Sequence, residues 1–462
     1  MPQSRGRPVP RREPIVLTRV TPRSSRPEPH AHRPTLPSRP ESPSISPPRS
    51  AEQPPTSPRG PVRVVMSRPH VVRLLTATMV GRLPTVMVPV TVILLVTHTT
   101  GSLTTAGLLG ALYSLTAALS QPVKGRLLDQ YGPVRVSGPG AVLNAASLVC
   151  LPLAAQHHLG AMSVTVLSAA LSAPPLEAGL RALWPRLLAD PGDRRAVAVL
   201  DSTCSGLVFI TGPLLAGGLS ALYGPETALA TAAVLGLAGT AGVITSAPAR
   251  AWHPAHRPAQ RAGQLLTAWL GRLVAVLAGG GLATGAMNVW AVQLADEHRE
   301  PALTGLVPAV FSLGALAGSV LLARRLQRGS PRRHLITGAA GLQAAWLLPL
   351  LAAHHHPATG VTVAAVAAPG VFHTIVATSV IITVQTLAPP GRRAEAYAWL
   401  ILAGGTGHAL GTALAGTLGS HPLGGPALPA LGTALTLAAA LRQAGEHHRV
   451  PHGSHHLANL KE

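Results

Sequence analysis

The sequence is short of nearly everything that marks a water-soluble domain. Only 11% of its 462 residues are charged, against roughly a quarter in ordinary globular domains. Its hydrophobic share is 47% and its mean hydropathy is +0.33. An ordinary soluble fold is therefore excluded and a lipid environment is indicated. Lysine is almost missing: Lys124 precedes Gly125 and Lys461 precedes Glu462. A nucleotide-binding loop must end in Gly-Lys-Ser/Thr, so ATP hydrolysis on such a loop is excluded too. The two cysteines, Cys150 and Cys204, both lie inside apolar runs, and no disulfide framework follows from them. Aromatics amount to 3%.

What is abundant is arginine, and its placement matters more than the formal charge of +21. Residues 1–65 hold twelve Arg and four Glu, a net of +8, which leaves +13 on the remainder. This stretch is dominated by Pro, Ser and Arg and has neither helical nor strand periodicity, so residues 1–69 are expected to be a disordered tail. Its longest apolar run, Pro14 to Leu17, is too short for the core of a signal peptide. Two other readings stay open. Translation could begin at Met66, just ahead of the hydrophobic body, or the tail could be a basic arm for anionic lipid or nucleic acid, although no aromatics are interleaved with its arginines.

From residue 70 onward the chain reads as a series of apolar segments. A hydrocarbon core of about 30 Å needs about 20 apolar residues per helix, and helices satisfy every backbone polar group internally. Twelve segments qualify, at roughly 74–98, 103–123, 134–156, 161–183, 195–220, 226–246, 268–292, 302–323, 334–353, 358–384, 394–418 and 426–442. Short cytoplasmic loops accumulate Lys and Arg. Arg126 and Arg135, Arg186, Arg194 and Arg195, Arg250, Arg324 to Arg333, and Arg392 and Arg393 all fall on one side of this map. The opposite loops hold one Arg, Arg299, beside Asp296, Glu297 and Glu300. Miscounting one early helix would scramble that segregation. Twelve spans in the plasma membrane, with both termini cytoplasmic, is the expectation.

LADPGDRRAVAVL at 188–200 is echoed by LAPPGRRAEAYAWL at 387–400, each at the start of a span, the fifth and the eleventh. The chain is thus expected to be an all-α integral membrane protein of two pseudo-repeated six-helix bundles. The first covers 70–246 and the second 268–445, joined by a polar linker, 247–267, and followed by a His-rich tail, 446–462.

Two six-helix repeats with GRLLDQYG (125–132) between the second and third spans resemble the major facilitator superfamily, of the drug-efflux-like, actinobacterial type. Gly125, Asp129 and Gly132 match that family's G-x-x-x-D-x-x-G signature. Gln130 stands where a basic residue is usual, and the basic pair after the second Gly is reduced to Arg135. The equivalent stretch of the second half, 318–333, lacks the Asp. TGPLLAGG resembles the Gly-Pro element of the family's antiporters through Gly212, Pro213, Gly217 and Gly218, with the last two one residue late. The resemblance implies a gradient-driven transporter, not an enzyme, and fixes no substrate.

Two glycines permit tight turns in the signature loop, and Asp129 could pair with Arg126 or Arg135 as a gate, or the loop could simply set topology. Intramembrane polar residues are the remaining candidates, because each costs about 2.5–3.5 kcal/mol even on lenient insertion scales. Arg82, roughly 6 Å from the midplane, could meet an anionic group or snorkel to the surface. Glu177 and Asp201 are the acids well inside the first half and could carry protons. Alternatively Glu177 pairs with Arg181 one turn on, and Asp201 with Arg194 and Arg195. Asn288, His373 and His408 lie mid-span as cavity or packing residues. By resemblance, Glu395 abuts the signature loop. His354 to His356 and the histidines of 446–456 lack regular ligand spacing, so no metal is expected.

The resulting expectation is proton-coupled export of small, moderately apolar molecules by a monomer that needs no cofactor, catalytic residue or nucleic acid. Uptake of a small anion through Arg82, and a non-transporting membrane sensor or scaffold, are the alternatives.

Overall fold

The computed structural model describes residues 65–68, 70–188, 190–252, 268–326, 330–355, 359–388, 393–418 and 425–445. Of the predicted tails, 1–69 and 446–462, only residues 65–68 are described, and there Val65 is buried in the apolar core beside Leu74 and Trp184, so the folded body begins ahead of residue 70. Ten helical segments are long and apolar enough to cross a bilayer. The first is α1, Val71–Thr100. Next comes α2, Leu103–Ala155, whose 53 residues would run about 80 Å, more than twice the hydrocarbon thickness. It turns at Gly132, where φ is 79° and ψ 168°, so α2 carries the second and third crossings.

The fourth crossing is not the continuous helix expected over 161–183. It is α3, Leu159–Ser172, and α4, Leu176–Leu187, separated by Ala173, Pro174 and Pro175. Two consecutive prolines remove two donors and clash with the preceding turn, so the helix breaks there. The fifth and sixth crossings are α5, Pro191–Tyr223, and α6, Pro225–Ile244. A one-turn helix, α7, Ala247–Arg250, begins the linker.

The second half consists of α8 (Ala268–His298), α9 (Leu303–Leu326), α10 (Pro331–His355), α11 and α12 (Thr359–Ala365 and Ala367–Leu387, one crossing), α13 (Arg393–Thr417) and α14 (Ala427–Gly445). With α2 counted twice and the 19-residue α14 included, the chain makes twelve crossings. The halves repeat in packing as well as in number. In the first, α1 lies against α5 and α6; in the second, α8 lies against the equivalent α13 and α14. The halves meet through two matched pairs, α2 with α13 and α5 with α9.

At the Arg-poor end these pairs close backbone on backbone. A Cβ on Gly107 would strike Gly416, and one on Gly217 would strike Gly305. Nearer the middle the contacts are side chain on backbone, Ala118 on Gly405 and Leu316 on Gly206. Apolar cores fill each half, and a smaller one, with Leu74, Leu176, Leu180, Trp184 and Val197, sits at the Arg-rich end of the first bundle. That third core fixes α4 beside α1 and α5.

Candidate functional site

The break in the fourth crossing exposes carbonyls that a continuous helix would occupy. Pro174 stands four residues after Ala170 and has no N–H to offer its carbonyl. Lys124, from α2 and 6% exposed, donates from Nζ to that oxygen at 2.9 Å. One residue earlier, Asn144 Nδ2 donates to the Ala169 carbonyl at 2.7 Å. The second and third crossings thereby brace the broken end, Lys124 meeting the acceptor that Pro174 leaves without its helical donor and Asn144 meeting a carbonyl that Ser172 Oγ also approaches at 3.4 Å. Asn144 thus serves the break.

Beyond the break, Glu177 occupies the first turn of α4, where the helix dipole favours an anion. Its Oε2 lies 2.7 Å from a guanidinium nitrogen of Arg82 on α1, and its Oε1 2.6 Å from Arg181, one turn further along α4. Asp201, on α5, faces the same two arginines, Oδ2 at 3.2 Å from Arg181 Nε and Oδ1 at 3.8 Å from Arg82. Arg82 also donates to Ser205 Oγ at 2.9 Å, and Ser205 in turn donates to the Asp201 carbonyl. Four charges therefore form a closed, electrically neutral ring drawn from three crossings. Arg82 and Asp201 form its buried side, 7% and 5% exposed. Glu177 and Arg181 form its open side, with side chains 40% and 58% exposed.

The structure thus brings together Arg82, Glu177 and Asp201, which the sequence offers only as separate candidates. Of the two readings of Glu177, the pair with Arg181 is present, and Glu177 pairs with Arg82 as well. Asp201 does not pair with Arg194, whose Nε instead donates to the Leu188 carbonyl at 2.6 Å. Sequence reasoning misses Arg181 as the bridge between the two acids, and also Ser205 and Lys124. The i,i+4 spacing of Glu177 with Arg181 and of Asp201 with Ser205 was the available signal.

The other candidates lie apart. Asn288 on α8 and His408 on α13 share a hydrogen bond of 3.2 Å, and His373 on α12 meets Phe311 edge to face at 5.4 Å. Among the described residues, none of these three makes a hydrogen bond or ion pair with the ring. In the Gly-Pro element, Gly212 lets α5 approach Val86 of α1, Pro213 and Gly217 pack on Gly305 of α9, and Gly218 faces open space.

In the signature loop, Gly125 is part-buried, and Arg126, Asp129 and Arg135 are exposed. Asp129 makes no ion pair with Arg126 or Arg135 among the described residues, contrary to the expectation from spacing. Gly132 carries the turn, and the indole of Trp252, from the linker, lies where a Cβ would project. The Glu395 side chain lies outside the described residues.

Two bundles of six crossings, related in packing, define a multi-pass membrane protein. The sequence matches the Major Facilitator Superfamily over residues 74–412, and the chain belongs to that family. No curated protein matches it. Solved structures share the fold. One is a POT family transporter in complex with a thioalcohol conjugated peptide, with a TM-score of 0.65 and 12% identity, covering 82% of this chain and 96% of that one. Another is the nucleoside transporter NupG, with a TM-score of 0.61 and 14% identity, covering 81% and 98%. A third is the peptide transporter POT in complex with sulfate, with a TM-score of 0.61 and 15% identity, covering 85% and 98%. At these identities the likeness establishes the fold, and with the family it supports secondary transport of a small molecule.

Proposed function

We propose that the protein is a proton-coupled exporter of small, moderately apolar molecules, working by alternating access in the plasma membrane with both termini cytoplasmic. The ring of Arg82, Glu177, Arg181 and Asp201 is the observation that carries this reading. A neutral ring across three crossings has two acids for two cations, so one proton added to Glu177 or Asp201 leaves a surplus positive charge and weakens one arm. Glu177, on the open side, is the first to meet a proton, and Asp201, on the buried side, holds Arg82 in its place. Proton binding thereby alters how firmly α1, α4 and α5 are tied, which is what a coupling element must do.

The glycine contacts at the Arg-poor end support a state closed on that side and accessible from the Arg-rich side, taken as cytoplasmic by the arginine bias of the loops. Asn288, His373 and His408 are the second half's candidates for polar contacts with a substrate bound between the bundles. Arg82 already faces two carboxylates, which weighs against the alternative of an anion permease that uses it as the binding group.

Reconstituted vesicles test the reading. Substrate-dependent pH change inside proteoliposomes across a panel of apolar cations and neutral compounds is expected, and its loss in Glu177→Gln and Asp201→Asn. Full proton coupling in both variants would remove the ring from the mechanism. Absence of any gradient-driven flux across the panel would favour a sensor or scaffold.

A further inference from the structure

Away from the charge ring, α8, α13 and α14 leave a groove of about 620 Å³ on the second half. Its rim carries Leu410 and Leu435, 53% and 57% exposed, as expected of side chains that meet lipid. Its floor is made of small residues, among them Ala275, Ala278, Gly279 and Ala438. The charged residues in the lining are two cations, Arg272 and Arg442, and both lie at the Arg-rich end. Arg272 donates to the Oε1 of the buried Gln443 at 3.5 Å.

The dimensions matter as much as the charge. From Arg272 to Leu282 is ten residues of helix, about 15 Å, half of the roughly 30 Å hydrocarbon core. The groove therefore begins at one membrane surface and ends near the midplane. Water would gain little from such a slot, and an inorganic anion would use only its mouth. An anionic phospholipid matches both parts, since basic pockets between crossings on the cytoplasmic side suit anionic headgroups.

We propose that this groove binds one anionic phospholipid of the Arg-rich leaflet, with its phosphate against Arg272 and Arg442 and one acyl chain along the small-residue floor. The headgroup phosphate would meet two guanidinium groups at the membrane surface, and the chain would fill the space that small side chains leave between α13 and α14.

Native mass spectrometry of the full-length purified protein, titrated with dioleoyl phosphatidylglycerol or dioleoyl phosphatidylcholine, tests the proposal. The unmodified protein is expected to favour the anionic lipid. Arg272→Gln and Arg442→Gln should each weaken its binding about fivefold, and the pair about thirtyfold. Ala438→Phe keeps both charges but fills the slot, and should also weaken phosphatidylglycerol binding. Arg299→Gln, at the opposite end, should leave it unchanged. Equal affinity for the two lipids in the unmodified protein, or an undiminished preference in the double variant, overturns the proposal. So does displacement of the lipid by millimolar inorganic phosphate, which would reduce the site to its mouth. Gel filtration of each variant distinguishes lost binding from lost fold, and Ala438→Phe tests the site with both arginines in place.

Discussion

The charge ring makes a quantitative demand on Arg82 and Asp201. At 3.8 Å, two unit charges in a medium of effective dielectric constant 20 attract by about 4 kcal/mol. That is an upper value, because burying the pair costs desolvation and because each member has a second partner. Asp201→Asn keeps shape and an acceptor for Arg181, and leaves Arg82 paired with Glu177. A loss of about 1–3 kcal/mol is expected, as for a hydrogen-bonded group that loses its charged partner. Arg82→Gln is harsher. It leaves Asp201 buried with only the exposed Arg181, so a loss of about 3–5 kcal/mol is expected.

The double variant separates coupling from two unrelated defects. With both charges gone, neither is stranded, and Arg82→Gln/Asp201→Asn should be less destabilised than Arg82→Gln alone. The corresponding coupling energy should reach about 1–3 kcal/mol. Unfolding of the detergent-solubilised protein, followed by the fluorescence of its tryptophans, measures the order. Trp184, buried on α4 beside the ring, is a direct reporter. Additivity of the two single effects within about 0.5 kcal/mol would refute the reasoning, since it would mean that the side chains act independently.

Other variants probe the surrounding parts. Lys124→Met strands the Ala170 carbonyl and should cost about 1–3 kcal/mol; adding Pro174→Ala together with Pro175→Ala supplies the missing N–H groups and should recover thermal stability while lowering transport, because the helix can then continue. Gly132→Ala places a Cβ against the Trp252 indole in a left-handed backbone, and should destabilise by about 1–2 kcal/mol or more; a melting temperature unchanged from the parent would contradict the tight turn. Gly217→Leu cannot form the contact with Gly305, so accessibility of cysteines introduced near the Arg-poor end should rise and flux should fall. Asp129→Asn should cut transport with membrane insertion retained, and unchanged flux would reduce the signature loop to a topology signal.

The number of crossings was legible because it depends on composition along the chain, and because arginine segregation checks the count independently of hydropathy. The broken fourth crossing was written in Pro174 and Pro175, yet apolar periodicity runs straight through them. A proline can kink a helix or end it, and the difference lies in whether other crossings can satisfy the freed carbonyls. Lys124 and Asn144 do so from 46 and 25 residues away, a distance no local pattern encodes. The ring was half legible for the same reason. Glu177 with Arg181 is a helical spacing, whereas Arg82 with Asp201 is set only by how α1, α4 and α5 pack.

The break and the ring explain each other. A continuous fourth helix would carry Glu177 and Arg181 on a rigid rod, with every backbone group satisfied and nothing to hold it in one of two positions. Breaking it at Pro174 and Pro175 gives α4 its own N-terminus, with Glu177 in the first turn. The carboxylate then gains from the helix dipole as well as from two guanidinium groups. Lys124 and Asn144 thus hold the end of α3 on one side of the break, and the ring ties α4 on the other. On the proposed reading, a proton on either acid would loosen the ring and leave the contacts on α3 in place, so that α4 could shift about the break. Among the described residues, the ion pairs that reach into the crossings gather at this broken helix.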